Sequence, residues 1–247
     1  MTISVAVVGA RGKMGQLATG IIEAAPDLEL FATLGSDDGL EKLLGADVVV
    51  DFTVPGASGA IVEFAIEHDI SVLVGTSGWS NERISTLNKL VAEHPQVGVV
   101  IVPNFSVGSV LASSFAATAA RFYDSIEIIE AHAASKLDSP SGTATRTAEL
   151  IGAARAGLGP VIAPHADQRA RGQQVSSVPI HSLRMQGIVA KQDVIFGGVG
   201  EVLTVSHETI SPDSYEKGIL LALRMTPTVT GILVGLDKII DVASTTE

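Results

Sequence analysis

Ile3-Ser4-Val5-Ala6-Val7-Val8-Gly9-Ala10-Arg11-Gly12-Lys13-Met14-Gly15 is the stretch on which the fold turns. A compact apolar run leads into glycines spaced GxxGxxG. From Lys13 to Ala25, Met14, Leu17, Ala18, Ile21 and Ile22 then recur at intervals of three and four, one face of a helix. Glycines permit a tight turn and a close approach of backbone to phosphate. The helix start adds unpaired N–H groups and the positive end of the helix dipole. GxGxxG is the commoner dinucleotide spacing, so the turn gains its weight from context: it follows a strand, opens a helix and begins a βαβ series. The bland alternative is a plain strand–helix turn. A triphosphate-binding loop is excluded, because Met14 stands where Ser or Thr would follow Gly12-Lys13.

Outward from this turn, residues 28–34, 48–52, 71–74 and 97–102 read as strands, and 57–67 and 81–93 as helices. Strands apolar on both faces and separated by helices predict a parallel sheet covered on both sides. After Pro103-Asn104-Phe105 the pattern changes. A helix over 108–122 precedes a strand from 125 to about 132, a helix over 143–155 and a polar loop over 157–177. Strand-like runs at 180–184, 187–196 and 201–208 follow with short turns, and helical spacing resumes over 215–224. The fold class is therefore α/β: an N-terminal Rossmann-type parallel sheet, with a second α+β domain carrying a mixed, largely antiparallel sheet. Residues 1–104 plus 217–247 are expected to form a dinucleotide-binding domain, and 105–216 a second domain.

Composition narrows the function. The chain has 247 residues, 46% of them hydrophobic, enough for one large or two small domains. With no cysteine, disulfides, thiolate metal sites and cysteine nucleophiles are excluded, as fits a reducing cytoplasm. No basic leader and no run of about 20 apolar residues is present, so no membrane segment is expected. A net charge of −11 is the wrong sign for a general nucleic-acid binder. Disorder is expected only at the ends, as at Ser244-Thr245-Thr246-Glu247.

The second strand ends in Gly35-Ser36-Asp37-Asp38, without the acid that NAD proteins place there to hold the ribose hydroxyls. Arg11 and Lys13 flank the turn and are positioned for a 2′-phosphate, which favours NADPH, with NADH possible. Plain solvation is the competing reading of these two cations.

A second candidate segment runs from His132 through Lys136 to Ser141-Gly142-Thr143. A helix starting after Ser141 offers N–H groups and hydroxyls to a carboxylate. Lys136 supplies positive charge or a proton, and His132 an imidazole suited to proton transfer near neutral pH. A capped helix with an exposed loop is the bland alternative. His68 and His94 are expected to be solvated, His165 lies in the loop, and His181 and His207 fall on strands as packing or partner contacts. No histidine pair has metal-ligand spacing, so no metal is expected. No serine-hydrolase elbow and no aromatic platform for nucleic acid are present.

These residues carry a family resemblance along nearly the whole chain. The opening turn, Val50-Asp51-Phe52-Thr53, Gly75-Thr76-Ser77-Gly78, Pro103-Asn104-Phe105-Ser106-Val107-Gly108, Lys136-Leu137-Asp138-Ser139-Pro140-Ser141-Gly142-Thr143 and Phe196-Gly197-Gly198-Val199-Gly200-Glu201 appear in order. The sequence resembles the bacterial dihydrodipicolinate reductases of lysine and diaminopimelate biosynthesis. The resemblance implies NAD(P)H bound by Gly9, Ala10, Arg11, Gly12, Lys13, Met14, Phe52, Thr53, Gly75, Thr76, Ser77, Val102, Pro103, Asn104 and Phe105. It implies His132 and Lys136 as catalytic residues, and Lys136, Ser141, Gly142 and Thr143 as ligands of a dicarboxylate substrate. It also implies a C-terminal segment that completes the first domain, and a homotetramer assembled through the second domain's sheets. One departure stands out: Ala133 replaces a histidine that contacts substrate in the family, a contact worth roughly 1–3 kcal/mol. Two alternatives stay open: a diverged reductase acting on another cyclic imine or unsaturated dicarboxylate, and a non-catalytic NADPH-binding regulatory module.

Overall fold

The computed structural model describes residues 2–244, with side chains through residue 240. The chain forms two compact units, one of Met1–Ser106 with Tyr215–Glu247, the other of Val107–Ser214. The first unit runs β1 (Ile3–Val8), α1 (Lys13–Ala24), β2 (Leu28–Leu34), β3 (Val48–Asp51), α2 (Pro55–Glu67), β4 (Ser71–Val74), α3 (Asn81–Glu93) and β5 (Gly98–Ile101). The second runs α4 (Val107–Ala119), β6 (Ser125–Ala133), α5 (Gly142–Ala154), β7 (Gln173–Val175), β8 (Val178–Met185), β9 (Ala190–Gly198) and β10 (Glu201–Thr209). The chain then returns to the first unit with α6 (Glu216–Met225), β11 (Gly231–Val234) and α7 (Leu236–Ser244).

The first unit's sheet has the order β11-β5-β4-β3-β1-β2, and every pair in it is parallel. Every residue of β3, β4 and β5 is buried, as a sheet covered on both faces requires. The order reverses at β1, between β2 and β3. That switch point sets the turn after β1 beside the turn after β3, where open α/β sheets take their ligands. Helix α1 has no side-chain cap at Gly12. A missing cap costs about 1 kcal/mol, whereas burying Ile21 or Ile22 contributes roughly 1.5–3 kcal/mol each. Packing therefore holds the helix and leaves its N-terminus open.

The second unit's sheet has the order β10-β9-β6-β8-β7. Only β6 and β8 run parallel; the other pairs are antiparallel. Alternation along β6 sends Ile126, Ile128 and Glu130 inward, and the two isoleucines join Ala116 of α4, Ala144, Ala148 and Ile151 of α5, and Ile180, Val194 and Phe196 in one core. Glu127, Ile129, Leu183, Ile195 and Val202 lie on the opposite face by the same alternation and register.

The α/β architecture and the mixed second sheet match the expectation, and several element bounds coincide with those read from sequence. The differences are local. The region 157–177, expected as loop, contains β7. The strand β11 and helix α7 lie in a stretch the sequence reading left unassigned. Helix α4 stops at Ala119, short of 122, where Phe122 is exposed. The consecutive strands β8 and β9 do not pair, because β6 lies between them. The disorder expected at the C-terminus falls on Thr245-Thr246-Glu247, outside the described residues; Ser244 closes α7.

Candidate active site

The turn after β1 is built so that only glycine fits. Gly9 has φ +82°, and a Cβ there would lie 2.4 Å from the Phe52 carbonyl oxygen. At Gly15 a Cβ would lie 2.2 Å from the Gly9 oxygen. The amides of Gly9 and Ala10 donate to the Leu34 oxygen (2.9 and 3.2 Å), and that of Gly12 to the Gly9 oxygen (2.9 Å). Beyond them α1 begins with neither a capping side chain nor an acidic residue in its first turn. Those three bonds shape the turn, and the uncapped N–H groups of the first turn of α1, at the positive dipole end, fit a dinucleotide pyrophosphate.

The other positions named for the cofactor stand at the carboxyl ends of neighbouring strands. Buried Asp51, the last residue of β3, accepts hydrogen bonds from the Thr53 amide (2.9 Å), Thr53 Oγ1 (2.5 Å), Thr76 Oγ1 (3.0 Å) and Ser58 Oγ. Ser58 is held in turn by Trp79 Nε1 (3.1 Å). The turns after β3 and β4 are thus latched to one carboxylate that sequence reading did not single out. A Cβ at Gly75 would overlap the Phe52 ring at 2.1 Å, and Phe52 meets Phe105 edge-on at 5.5 Å. The Val102 amide donates to the Val74 oxygen (2.8 Å), and Asn104 Oδ1 accepts from the Ser106 amide (2.9 Å). Ser77 is exposed.

At the end of β2, Asp38 turns back to accept from the Gly35 amide (2.8 Å) and Lys42 Nζ (2.5 Å), and these contacts, Lys42 foremost, lower its pKa. Arg11 lies over Gly35, where a Cβ would come 3.0 Å from its Cζ. Its contact with Asp37 is 3.5 Å long, with the two side chains 75% and 82% exposed. Such a pair is worth little, so the guanidinium is available to another anion. Lys13 is exposed.

In the second unit, β6 carries Glu130 and His132 on one face. Glu130 is wholly buried. Its Oε2 accepts from His132 Nδ1 (2.6 Å) and one Arg184 nitrogen (2.8 Å); its Oε1 accepts from the other Arg184 nitrogen (2.8 Å) and the Ser141 amide (3.1 Å). Burial alone would raise its pKa, but hydrogen bonds from Arg184, Ser182 and His132 outweigh it and hold the pKa at about 2. Arg184 comes from β8, opposite His132 in the parallel register, and also donates to the Asp138 oxygen (2.6 Å). Lys136 follows β6 in a turn closed by its amide on the Ala133 oxygen (3.0 Å), and its Nζ sits 2.7 Å from Asp138 Oδ1. Ser141 caps α5, its Oγ accepting from the Ala144 amide (3.2 Å), while Gly142 and Thr143 begin the helix.

The structure thus ties His132 to Ser141 through Glu130, and holds Lys136 in the intervening loop by way of Asp138. Glu130 and Arg184 are site groups that sequence reading missed. The signal for Glu130 was an acid on the inward register of β6; none in the sequence pointed to Arg184. Of the remaining histidines, His94 is not simply solvated: it pairs with Asp69 at 2.9 Å and its side chain is 22% exposed. His68 remains exposed, bonds the Phe64 oxygen and stacks on the Phe64 ring. His181 pairs with Glu127 at 2.7 Å. Burial pushes the His207 pKa down. No group of acids and histidines among the described residues could hold a metal ion, and none of the helices searched is long and apolar enough to cross a membrane.

A Rossmann-type unit with an open glycine turn, in one chain with an α+β unit bearing a histidine–carboxylate pair and a lysine, defines the class: a pyridine-nucleotide-dependent oxidoreductase. Comparison with known proteins narrows it. Residues 3–105 match the family described as dihydrodipicolinate reductase, N-terminus, and residues 108–240 match dihydrodipicolinate reductase, C-terminus. The chain belongs to the dihydrodipicolinate reductase family. It is 64% identical over 247 residues to the 4-hydroxy-tetrahydrodipicolinate reductase of Clavibacter michiganensis, covering 100% of this chain and 89% of that protein. It is 45% identical over 245 residues to the enzyme of the same name from Streptomyces griseus, covering 97% of this chain and 98% of that one. Among solved structures it resembles the dipicolinate-bound dihydrodipicolinate reductase of Paenisporosarcina sp. TG-14, with a TM-score of 0.85 and 30% identity, covering 96% of this chain and 99% of that one.

Proposed function

We propose that the protein reduces 4-hydroxy-tetrahydrodipicolinate to tetrahydrodipicolinate in the cytoplasm, as a step of lysine and diaminopimelate biosynthesis. The observation that carries this reading is the segment from His132 to Thr143, where an oriented imidazole, an ammonium and the Ser141-capped start of α5 follow one another. When bound, NAD(P)H would supply a hydride from C4 of its reduced nicotinamide. The residues from Gly9 to Met14 hold its pyrophosphate, while Phe52, Thr53, the turn from Gly75 to Ser77 and the residues from Val102 to Phe105 complete its seat. Arg11 and Lys13 favour NADPH, because Gly35 stands where NAD proteins place the ribose-binding acid, and Asp37 meets Arg11 only through a long, exposed contact.

In the second unit, Ser141, Gly142 and Thr143 anchor a substrate carboxylate, and Lys136 neutralises charge beside it. Fixing the ring this way supplies orientation, which is worth several kcal/mol of the barrier. The substrate's 4-hydroxyl leaves as water, the resulting unsaturated ring takes the hydride, and Lys136 or His132 delivers the proton to the electron-rich intermediate. The second unit also assembles a homotetramer through the open face of its sheet, where Leu183 and Val202 are exposed.

The test is a coupled assay that generates the substrate in situ, run with NADPH and with NADH. Lys136→Ala is expected to lower kcat by roughly 100-fold or more while NADPH affinity stays within about twofold. Undiminished turnover would overturn the role of Lys136. Ala133 favours the second reading, a different cyclic imine or unsaturated dicarboxylate as substrate. It follows His132 directly, so its Cβ leaves β6 on the opposite face, opposite Met185. The loss therefore concerns contacts at the strand end and leaves the Glu130–His132 pair intact. Absence of wild-type turnover in an assay where NADPH binds would favour that reading.

A further inference from the structure

We infer that Glu130 is a positioning residue: clamped by Arg184, its buried carboxylate fixes His132 with the proton on Nδ1 and Nε2 bare, and ties that ring to Ser141 at the start of α5. This rests on the reading that His132 takes part in proton transfer. The geometry carries it. Both Glu130 oxygens are fully engaged, Oε2 by His132 Nδ1 and Arg184, Oε1 by Arg184 and the Ser141 amide. An ionised carboxylate can only accept, so the ring nitrogen 2.6 Å from it must be the donor. Neutral His132 is then confined to one tautomer, and Nε2 is the nitrogen left for chemistry.

The two-pronged contact with Arg184 adds direction as well as charge. A bidentate guanidinium fixes the plane of the carboxylate. That plane in turn fixes the line along which Nδ1 approaches. It also supplies the countercharge without which a wholly buried carboxylate would be costly to keep ionised. The charged groups around the ring come from three elements: Glu130 on its own strand, Arg184 on β8, and Lys136 and Asp138 in the loop that follows. On β9 the residue opposite His132 is Ala190; Lys191 and Asp193 alternate to the other face. One carboxylate therefore sets the imidazole and the carboxylate-binding turn in a single register.

The experiment uses Glu130→Gln in the full-length protein. Its shape is close to that of the native side chain, but an amide nitrogen placed at Nδ1 donates rather than accepts and drives the ring to the opposite tautomer. Nitrogen-15 NMR of histidine-labelled wild-type protein bound to NADPH is expected to show His132 protonated at Nδ1 with Nε2 bare in its neutral form. The variant is expected to lose that signature. Its kcat should fall by roughly 100-fold or more, counted per NADPH-binding molecule, with NADPH affinity within about twofold of wild type. A wild-type ring protonated at Nε2 instead overturns the inference, and that measurement stands even if the variant fails to fold. A variant with the wild-type tautomer and undiminished kcat overturns it as well. Absence of wild-type turnover would strike the proposed substrate, while the tautomer would still decide the role of Glu130.

Discussion

Glu130 sits in the protein interior as a full negative charge, and the consequence for stability has a definite sign. Its folded pKa of about 2 lies below the ordinary 4.5, so as pH falls the unfolded chain binds this proton first. The stabilisation is complete above about pH 4.5 and is lost as pH falls towards 2. A difference of that size corresponds to roughly 3 kcal/mol. Unfolding free energies from urea titrations between pH 7 and pH 2 should therefore fall more for wild type than for Glu130→Gln, by about that amount. Parallel curves would show that Glu130 is not ionised in the native protein. Half of this arrangement was legible in the sequence. Period-two alternation from Ile126 and Ile128 puts Glu130 and His132 on one inward face. Arg184 was not legible, because the parallel register of β8 on β6 is set by the intervening chain and not by any local pattern.

At the scale of elements, the same limit separates what could be read from what could not. Strands β1, β2 and β4 are continuous apolar or β-prone runs between turn signals, and their ends follow from composition. The run Gly231-Ile232-Leu233-Val234 is as short, but nothing around it distinguishes an edge strand from coil. It forms because β5 offers a free edge and because Gly98 has no side chain: a Cβ there would lie 2.4 Å from the Val229 oxygen. Gly218 has the same kind of reason. In a helical pattern a glycine reads as a penalty of about 1 kcal/mol, yet in α6 a Cβ would lie 1.9 Å from the Phe105 oxygen. Helix α6 is thereby seated on the backbone of a residue whose ring meets Phe52. Gly218→Ala should destabilise the protein by roughly 1–3 kcal/mol through overpacking. It should also weaken NADPH binding several-fold while the substrate KM, measured at saturating NADPH, stays near wild type. Isothermal titration and urea unfolding measure the two effects, and unchanged cofactor affinity would show that Phe105 does not depend on α6.

At the scale of the molecule, the strands of the first sheet are apolar on both faces, whereas those of the second mix apolar with polar residues such as Glu127, His181, Lys191 and Asp193. In the first unit helices cover both sides, so β3, β4 and β5 are buried throughout. In the second, α4 and α5 pack on the face of Ile126 and Ile128, while the other face keeps Leu183, Met185 and Val202 at 42%, 47% and 70% exposure. Large apolar side chains standing in water on a sheet face that also carries Glu127, His181, Lys191 and Asp193 fit a surface that a partner covers with a mixed contact. For the proposed homotetramer of this 25.4 kDa chain, sedimentation at micromolar concentration should report about four times that mass. Leu183→Glu combined with Val202→Glu places two charges in the interface. It should shift the protein to a smaller species, with NADPH affinity nearly unchanged because the first unit holds that ligand. A wild-type monomer, or a double variant that sediments like wild type, would show that this face is not the one through which the protein assembles.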